Sequence, residues 1–326
     1  MKIAIRADGG SQIGMGHIMR TLVLAKELSK TNDVFYICKE NNDKYKKGIE
    51  KVSSEGFKVL LVRDNYLLED LKNIDADLLI TDSYDVNEEY FNKTKKIFNK
   101  TSYIDDMNLH YFNVDFLINQ NIDAEDFNYR VSKDTKLMLG TKYVMLRDEF
   151  RNCSPKNIKE KVNDIMLTVG GSDLNHITEK ILSWSYNLDY TVHVVVGPSF
   201  NDIEKLKSFE SDKIKLYFNA DMSKLMKKCD MAISTCGSTL YELASCGVST
   251  LGIIIADNQS GIGCKLNDMK VIKNLGWYNE ITKECFINNV NELAEDYNKR
   301  KLMSEKASMI VDGRGVERIC EILMLQ

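Results

Sequence analysis

The chain has 326 residues, more than one average domain holds, so two domains are expected. Hydrophobic residues at 44% and charged residues at 28% are ordinary for a globular protein. The formal net charge of −4 leaves no dominant basic face, which argues against a nucleic-acid partner.

An apolar run at 2–7 reads as a strand. A turn with Gly9, Gly10, Gly14 and Gly16 follows, and His17 opens an amphipathic helix. Strands are then expected at 33–37, 58–62 and 77–81, and helices at 44–55, 67–73 and 86–98. The 77–81 strand ends at Asp82, Ser83 and Tyr84, and short strands follow at 102–104 and 114–118. Strands separated by helices imply βαβ units in a parallel sheet. Ligands bind such sheets at the carboxyl ends of the strands, where His17 and Tyr84 both fall. The polar stretch 148–161, with Pro155, reads as the inter-domain linker.

The alternation then restarts. A strand at 163–169 ends in Gly170, Gly171, Ser172 and Asp173. Strands at 190–196, 213–218, 230–234 and 248–255 alternate with helices at 177–184, 202–209, 222–229 and 240–246. The remainder reads as helical at 261–275, 289–300 and 316–325. The expected fold is α/β, with two Rossmann-like domains, 1–150 and 151–326, facing a central cleft. The last helix is expected to pack back on the first domain.

No pair of the eight cysteines forms C-x-x-C, and no histidine sits at zinc-finger spacing, so neither a metal site nor a cofactor is expected. Met1 runs directly into a strand pattern without signal-peptide features, and no apolar run approaches the ~20 residues of a membrane helix. The reading is of a cytoplasmic protein without a membrane partner, in which structural disulfides are not expected.

The first glycine loop fails as a dinucleotide fingerprint, because the third glycine falls at Met19 and the acid would have to be Glu40. It is not a Walker loop, since no lysine follows. His17 gains little as a helix cap. The positive end of the helix favours a neutral imidazole, which a general base needs. His193, in mid-strand, reads as a packed core residue. Gly237, Ser238 and Thr239 form a strand-to-helix turn able to meet a diphosphate, with Glu242 one turn on, at about the reach of a ribose. Asp257 and Asn258 also suit a plain helix cap.

Together these motifs resemble one family: Ile5-Arg6-Ala7-Asp8, Gly14-x-Gly16-His17-x-x-Arg20, Asp82-x-Tyr84, Gly170-Gly171-Ser172-Asp173, Gly237-Ser238-Thr239-x-Tyr241-Glu242 and Ala256-Asp257-Asn258-Gln259. The family is the UDP-sugar hydrolases of pseudaminic acid biosynthesis, similar in fold to GT-B glycosyltransferases of the MurG type. The resemblance implies release of UDP from UDP-2,4-diacetamido-2,4,6-trideoxy-β-L-altropyranose by water, with inversion and without a metal. It implies that His17 activates water, that Tyr84 contacts sugar or water, and that Asn258 binds sugar or diphosphate. Gly14 and Gly16 would offer N–H groups near the phosphates, Ser238 and Thr239 would hold the diphosphate, and Glu242 the ribose. Arg20, Gly171, Ser172, Gly237 and Gln259 complete the implied substrate set. The expected partner is a small-molecule UDP-sugar, and a monomer is expected. Two other readings compete: a UDP-sugar-dependent GT-B glycosyltransferase of surface polysaccharide synthesis, and a non-catalytic sugar-nucleotide-binding protein.

Overall fold

The computed structural model describes residues 1–10, 13–40, 43–154, 156–186 and 188–325. Ser11 and Gln12 of the first glycine loop and Pro155 of the expected linker lie outside the described residues. In the first half the elements run β1 (Lys2–Ala7), α1 (Gly16–Leu28), β2 (Asp33–Glu40), α2 (Lys46–Ser54), β3 (Lys58–Arg63), α3 (Leu67–Leu71), β4 (Leu78–Asp82), α4 (Glu88–Ile97), β5 (Lys100–Ile104), β6 (Tyr111–Phe112), β7 (Phe116–Asn119), β8 (Arg130–Val131) and β9 (Lys136–Leu139). They continue as α5 (Asp148–Arg151), β10 (Asp164–Thr168), α6 (Ile177–Ser185), β11 (Thr191–Val196), α7 (Ile203–Lys207), β12 (Ile214–Phe218), α8 (Met222–Lys228), β13 (Met231–Thr235), α9 (Thr239–Ser245) and β14 (Ser249–Ile254). The chain closes with α10 (Ser260–Asp268), β15 (Ile272–Trp277), α11 (Lys283–Glu295), α12 (Tyr297–Ser308) and α13 (Gly315–Met324).

The chain divides into two compact units, Met1–Met145 with Arg314–Gln326, and Leu146–Gly313. Each is a Rossmann-like α/β layer structure. The division falls at 145/146, where the sequence places a boundary at 150/151, and it returns the last helix to unit 1. Chemistry explains that return: Val316, Ile319 and Leu323 of α13 join the apolar cluster of Ile18, Leu22 and Ala25 on α1. Gly315 makes the approach possible, since a Cβ there would lie 2.3 Å from the Val144 carbonyl oxygen.

Unit 1 holds a seven-stranded sheet in the order β3-β2-β1-β4-β5-β7-β9, and unit 2 a six-stranded sheet in the order β12-β11-β10-β13-β14-β15. Every pairing in both is parallel. The inner strands, such as β1, β4, β13 and β14, are buried on both faces and read as apolar runs rather than alternations. Along β1, Ile3, Ile5 and Ala7 enter the α1 side of the core and Ala4 the side of α3 and α4. In each sheet the order reverses between its first and fourth strands, β1 and β4 in unit 1 and β10 and β13 in unit 2, and the crevice there is the expected ligand position.

Two expectations fail near the end of the chain. The 261–275 helix stops at Asp268, because Lys270 adopts φ +60° and the chain turns into β15. Pairing with β14 then overrides helix propensity. The single 289–300 helix is two helices: Thr282 caps α11, and Asp296 ends it and caps α12 by accepting from Lys299 N at 2.8 Å. β6, β8 and β9 were also not expected from the sequence.

Candidate active site

In unit 1 the carboxyl end of β1 leads through the glycine loop into α1. Glycine is required there for two different reasons. Gly14 adopts φ +77°, and Gly10 faces the Lys44 carbonyl so closely that a Cβ would lie 1.7 Å from its oxygen. Gly16 is exposed, with open space where its Cβ would be. His17 is therefore the second residue of α1.

His17 Nδ1 lies 2.6 Å from Asp82 Oδ1. Asp82 ends β4, and its register partner on β1 is Ala7, so the two strands deliver acid and loop to the same place. Arg20, one turn along α1, donates from Nε to Asp82 Oδ2 and from Nη2 to Asp82 Oδ1, both at 2.6 Å. Its Nη1 donates to Asp106 Oδ1 at 2.7 Å. Tyr84 donates to Asp106 Oδ2 at 2.7 Å, and Asn121 Nδ2 donates to Asp106 Oδ1 at 3.0 Å. The His17 and Tyr84 rings meet edge to face, with centroids 4.5 Å apart. The network thus gathers groups from the carboxyl ends of β1, β4, β5 and β7.

Burial would push the Asp82 carboxyl up, but Arg20 and His17 outweigh it and hold it at about 2. Asp106, equally buried, is also lowered by Arg20. Its neighbour Asp105 moves the opposite way, pushed up by burial, although Asn108 N, Tyr129 and Met107 N donate to it. The difference between the two neighbours is the guanidinium. Burial and then Asp106 raise the Tyr84 phenol, which keeps it a neutral donor. Because Asp82 is ionised it accepts, so His17 Nδ1 carries the hydrogen, and the tautomer this selects has its lone pair at Nε2. That is the form of a general base oriented by a carboxylate. A depression of about 410 Å³, lined in part by Asp64, Leu68, Tyr84, Asp85 and Tyr90, shares Tyr84 with this network.

In unit 2 the Gly170 turn, at φ +96°, follows β10. Asp173 accepts from Ile177 N and Thr178 N, both at 2.8 Å, so its carboxylate takes up the start of α6. Gly171 and Ser172 are half-buried beside that cap, and Gly171 O accepts from Ser199 N at 2.9 Å. After β13, the Ser238 side chain makes no capping hydrogen bond to α9. With seven residues α9 carries little dipole, so the loop amides and the Ser238 and Thr239 hydroxyls are the available donors. Gln259 follows β14 and accepts from Ile255 N at 3.2 Å. Its Nε2 would lie 3.5 Å from a Cβ on Gly237, so the two loops adjoin. Asn258 sits beside Gln259 in the short 3₁₀ turn Asp257–Gln259.

Glu242 is held by a residue that the sequence does not single out. Arg147 donates from Nε to Glu242 Oε1 at 2.8 Å and from Nη2 to Oε2 at 3.0 Å. Burial raises Glu242, and Arg147 opposes the rise. The structure thus joins His17, Arg20 and Tyr84 in one network and brings Gly237 to Gln259. Asp82 entered the sequence reading only as part of a motif, and Asp106, Asn121 and Arg147 not at all. An acid at the end of a buried strand or just past it, as at Asp82 and Asp106, is the signal that could have found two of them. His193 is buried in the unit 2 sheet, within 2.6 Å of Asp164 Oδ1 and 2.9 Å of the Tyr217 hydroxyl, as a packed core histidine should be.

No protein-family model matches the chain. An uncharacterized protein, MJ1062, of Methanocaldococcus jannaschii is 30% identical over 91% of this chain, which spans about three fifths (61%) of that protein's length. The UDP-2,4-diacetamido-2,4,6-trideoxy-β-L-altropyranose hydrolase of Campylobacter jejuni is 27% identical over 79% of this chain and 93% of its own. The spore coat polysaccharide biosynthesis protein SpsG of Bacillus subtilis is 24% identical over 99% and 98%. Among solved structures, Acinetobacter baumannii MurG superposes with a TM-score of 0.73 over 100% of this chain and 99% of its own, at 13% identity. That likeness establishes the fold: two Rossmann-like domains of the GT-B kind.

Proposed function

The chain is a homologue of the UDP-2,4-diacetamido-2,4,6-trideoxy-β-L-altropyranose hydrolases, and from that premise we propose that it hydrolyses a UDP-activated deoxy-diacetamido sugar. Water gives a proton to His17 Nε2 while its oxygen attacks the anomeric carbon. The bond from that carbon to the UDP oxygen breaks, and UDP leaves from the opposite face, so the configuration inverts. Asp82 holds the His17 ring and stabilises the imidazolium that forms, and Arg20 keeps Asp82 in place. Tyr84 contacts the sugar or the water.

The departing diphosphate carries growing negative charge. Loop amides at Gly14, Gly16 and Gly237, with the Ser238 and Thr239 hydroxyls, are suited to meet it, each well-aimed donor being worth ~3 kcal/mol. Gly171, Ser172 and Gln259 lie on the same strand-end loops of unit 2. Asn258 binds the sugar or the diphosphate, and Glu242 accepts from the ribose hydroxyls with lone pairs that Arg147 leaves unused.

One observation carries the reading: His17 bonded at 2.6 Å to a buried carboxylate that Arg20 grips with two nitrogens. His193 also meets a carboxylate at 2.6 Å, but it lies in mid-strand, whereas His17 stands at a strand-end loop and its partner is gripped by Arg20. Turnover in ¹⁸O-water tests it. Label is expected in the free sugar and not in UDP, in the presence of EDTA and with no acceptor alcohol added. Label in UDP would mean attack at phosphorus. UDP release that requires an acceptor would make the protein a glycosyltransferase.

A further inference from the structure

The segment that opens unit 2 lies along α9, the helix that carries Glu242. Arg147 grips Glu242, and Cys153 meets Cys246 four residues further along the same helix face. Between them Phe150 is fully buried, with the Arg147 guanidinium 4.9 Å from its ring centroid. Beyond them Lys156 Nζ donates to the Met226 and Lys227 carbonyls at the end of α8, at 2.9 and 3.1 Å. The strap is thus tied to α9 by the Arg147–Glu242 ion pair and by the Cys153 sulfur, which meets Cys246 and also accepts from Ser245 Oγ at 4.0 Å.

The Cys153 and Cys246 sulfurs are 3.1 Å apart, although 93 positions separate the two residues in the chain. A disulfide closes at about 2.05 Å, so bond formation asks for a movement of about 1 Å. Among the described cysteines these two are the pair whose sulfurs meet. Their exposures differ in a useful way. Cys153 is half-buried at the surface, and Cys246 is buried beneath it. Burial, and then Cys153 itself, push the Cys246 thiol up to about 12, which protects it from direct oxidation.

We propose that Cys153 and Cys246 form a peroxide-responsive dithiol whose disulfide fastens the 146–154 strap to α9. Peroxide oxidises the Cys153 thiol to a sulfenic acid, with loss of one water. The Cys246 sulfur then attacks the Cys153 sulfur, the S–S bond forms, and the sulfenic oxygen leaves as a second water carrying the thiol proton. In total, two thiols and one peroxide give one disulfide and two waters. A dithiol reductant reverses the step. The consequence for binding rests on the reading of Glu242 as the ribose ligand. A fastened strap holds Arg147 and Glu242 in one fixed geometry, so the lone pairs that Arg147 leaves unused adjust less readily to a ribose.

The test starts from a Cys264→Ser/Cys285→Ser background, which removes the two exposed thiols. Hydrogen peroxide is added, and the protein is digested without reduction and mapped by mass. The expected product is a Cys153–Cys246 peptide pair lighter by two hydrogens and restored by dithiothreitol. Cys153→Ser is expected to abolish it and leave turnover unchanged. UDP affinity, measured by calorimetry, is expected to fall about tenfold on oxidation, the worth of one charged hydrogen bond, and not to change in Cys153→Ser. Two free thiols after peroxide, or Cys153 recovered only as a higher oxide or in a link between two molecules, overturns the proposal. A disulfide without change in UDP affinity overturns the strap's effect on binding. If the reduced protein binds no UDP, the nucleotide reading fails instead, and the peptide map still decides the dithiol.

Discussion

The carboxyl ends of the two sheets are built on one plan and furnished in opposite ways. At the β1–β4 crevice of unit 1, a largely covered imidazole and guanidinium meet two buried carboxylates, with a phenol closing the set. At the β10–β13 crevice of unit 2 the loops present glycine amides, hydroxyls and a carboxamide, the Asp173 carboxylate is taken up by the start of α6, and the Arg147–Glu242 pair stands one turn down α9. Covering four ionisable groups is costly unless each is paired, and breaking a buried pair costs ~3–5 kcal/mol. A fold that sustains that expense at one crevice and avoids it at the other divides its labour. On the proposed function, unit 1 moves the proton and unit 2 holds the nucleotide through many weak donors.

Asp82→Asn breaks that comparison hardest. The amide is uncharged and keeps one acceptor oxygen where His17 and Arg20 use two, so the hold on the ring's tautomer and orientation is lost. Turnover is expected to fall ~10²–10⁴-fold, with UDP affinity unchanged, in steady-state kinetics beside calorimetry. An equal loss of UDP affinity would blur the division between the units.

Stability against pH sharpens it. Asp82 is held at about 2 in the folded protein against an ordinary value of 3.8. Its folded value is depressed, so its contribution is present above pH ~4 and is lost as pH falls toward ~2, roughly 2 kcal/mol in all. Chemical unfolding followed between pH 5 and pH 2 should show that loss in the wild type and less of it in Asp82→Asn.

The mildest change is Glu242→Gln. It removes the carboxylate of unit 2 and leaves the unit 1 network whole. KM for the UDP-sugar is expected to rise about tenfold with kcat little changed, as for loss of uniform binding. A fall in kcat alone would place Glu242 in the chemistry rather than in nucleotide binding.

Much of the fold was legible because buried parallel strands are written as apolar runs, and the βαβ alternation follows from them. The end of the chain was harder to read. Nothing local marks Ile272–Trp277 as a strand, since its partner β14 supplies the reason, and Asp296 reads as one more helix-surface acid until it is seen to cap α12. The site divides in the same way. His17, Arg20 and Tyr84 lie in motifs at strand ends. The part played by Asp106 depends on Arg20, 86 positions away, and that of Arg147 on Glu242, 95 positions away. Separations of that size leave no periodic trace in a sequence.

On the proposed function, His17 does the chemistry and does not hold the nucleotide. The most direct measurement is turnover and UDP affinity side by side in His17→Asn, a variant close in size to the original. Turnover is expected to fall by at least ~10²-fold while UDP binds as in the wild type. Turnover close to wild type, or UDP affinity falling in step with turnover, would contradict it.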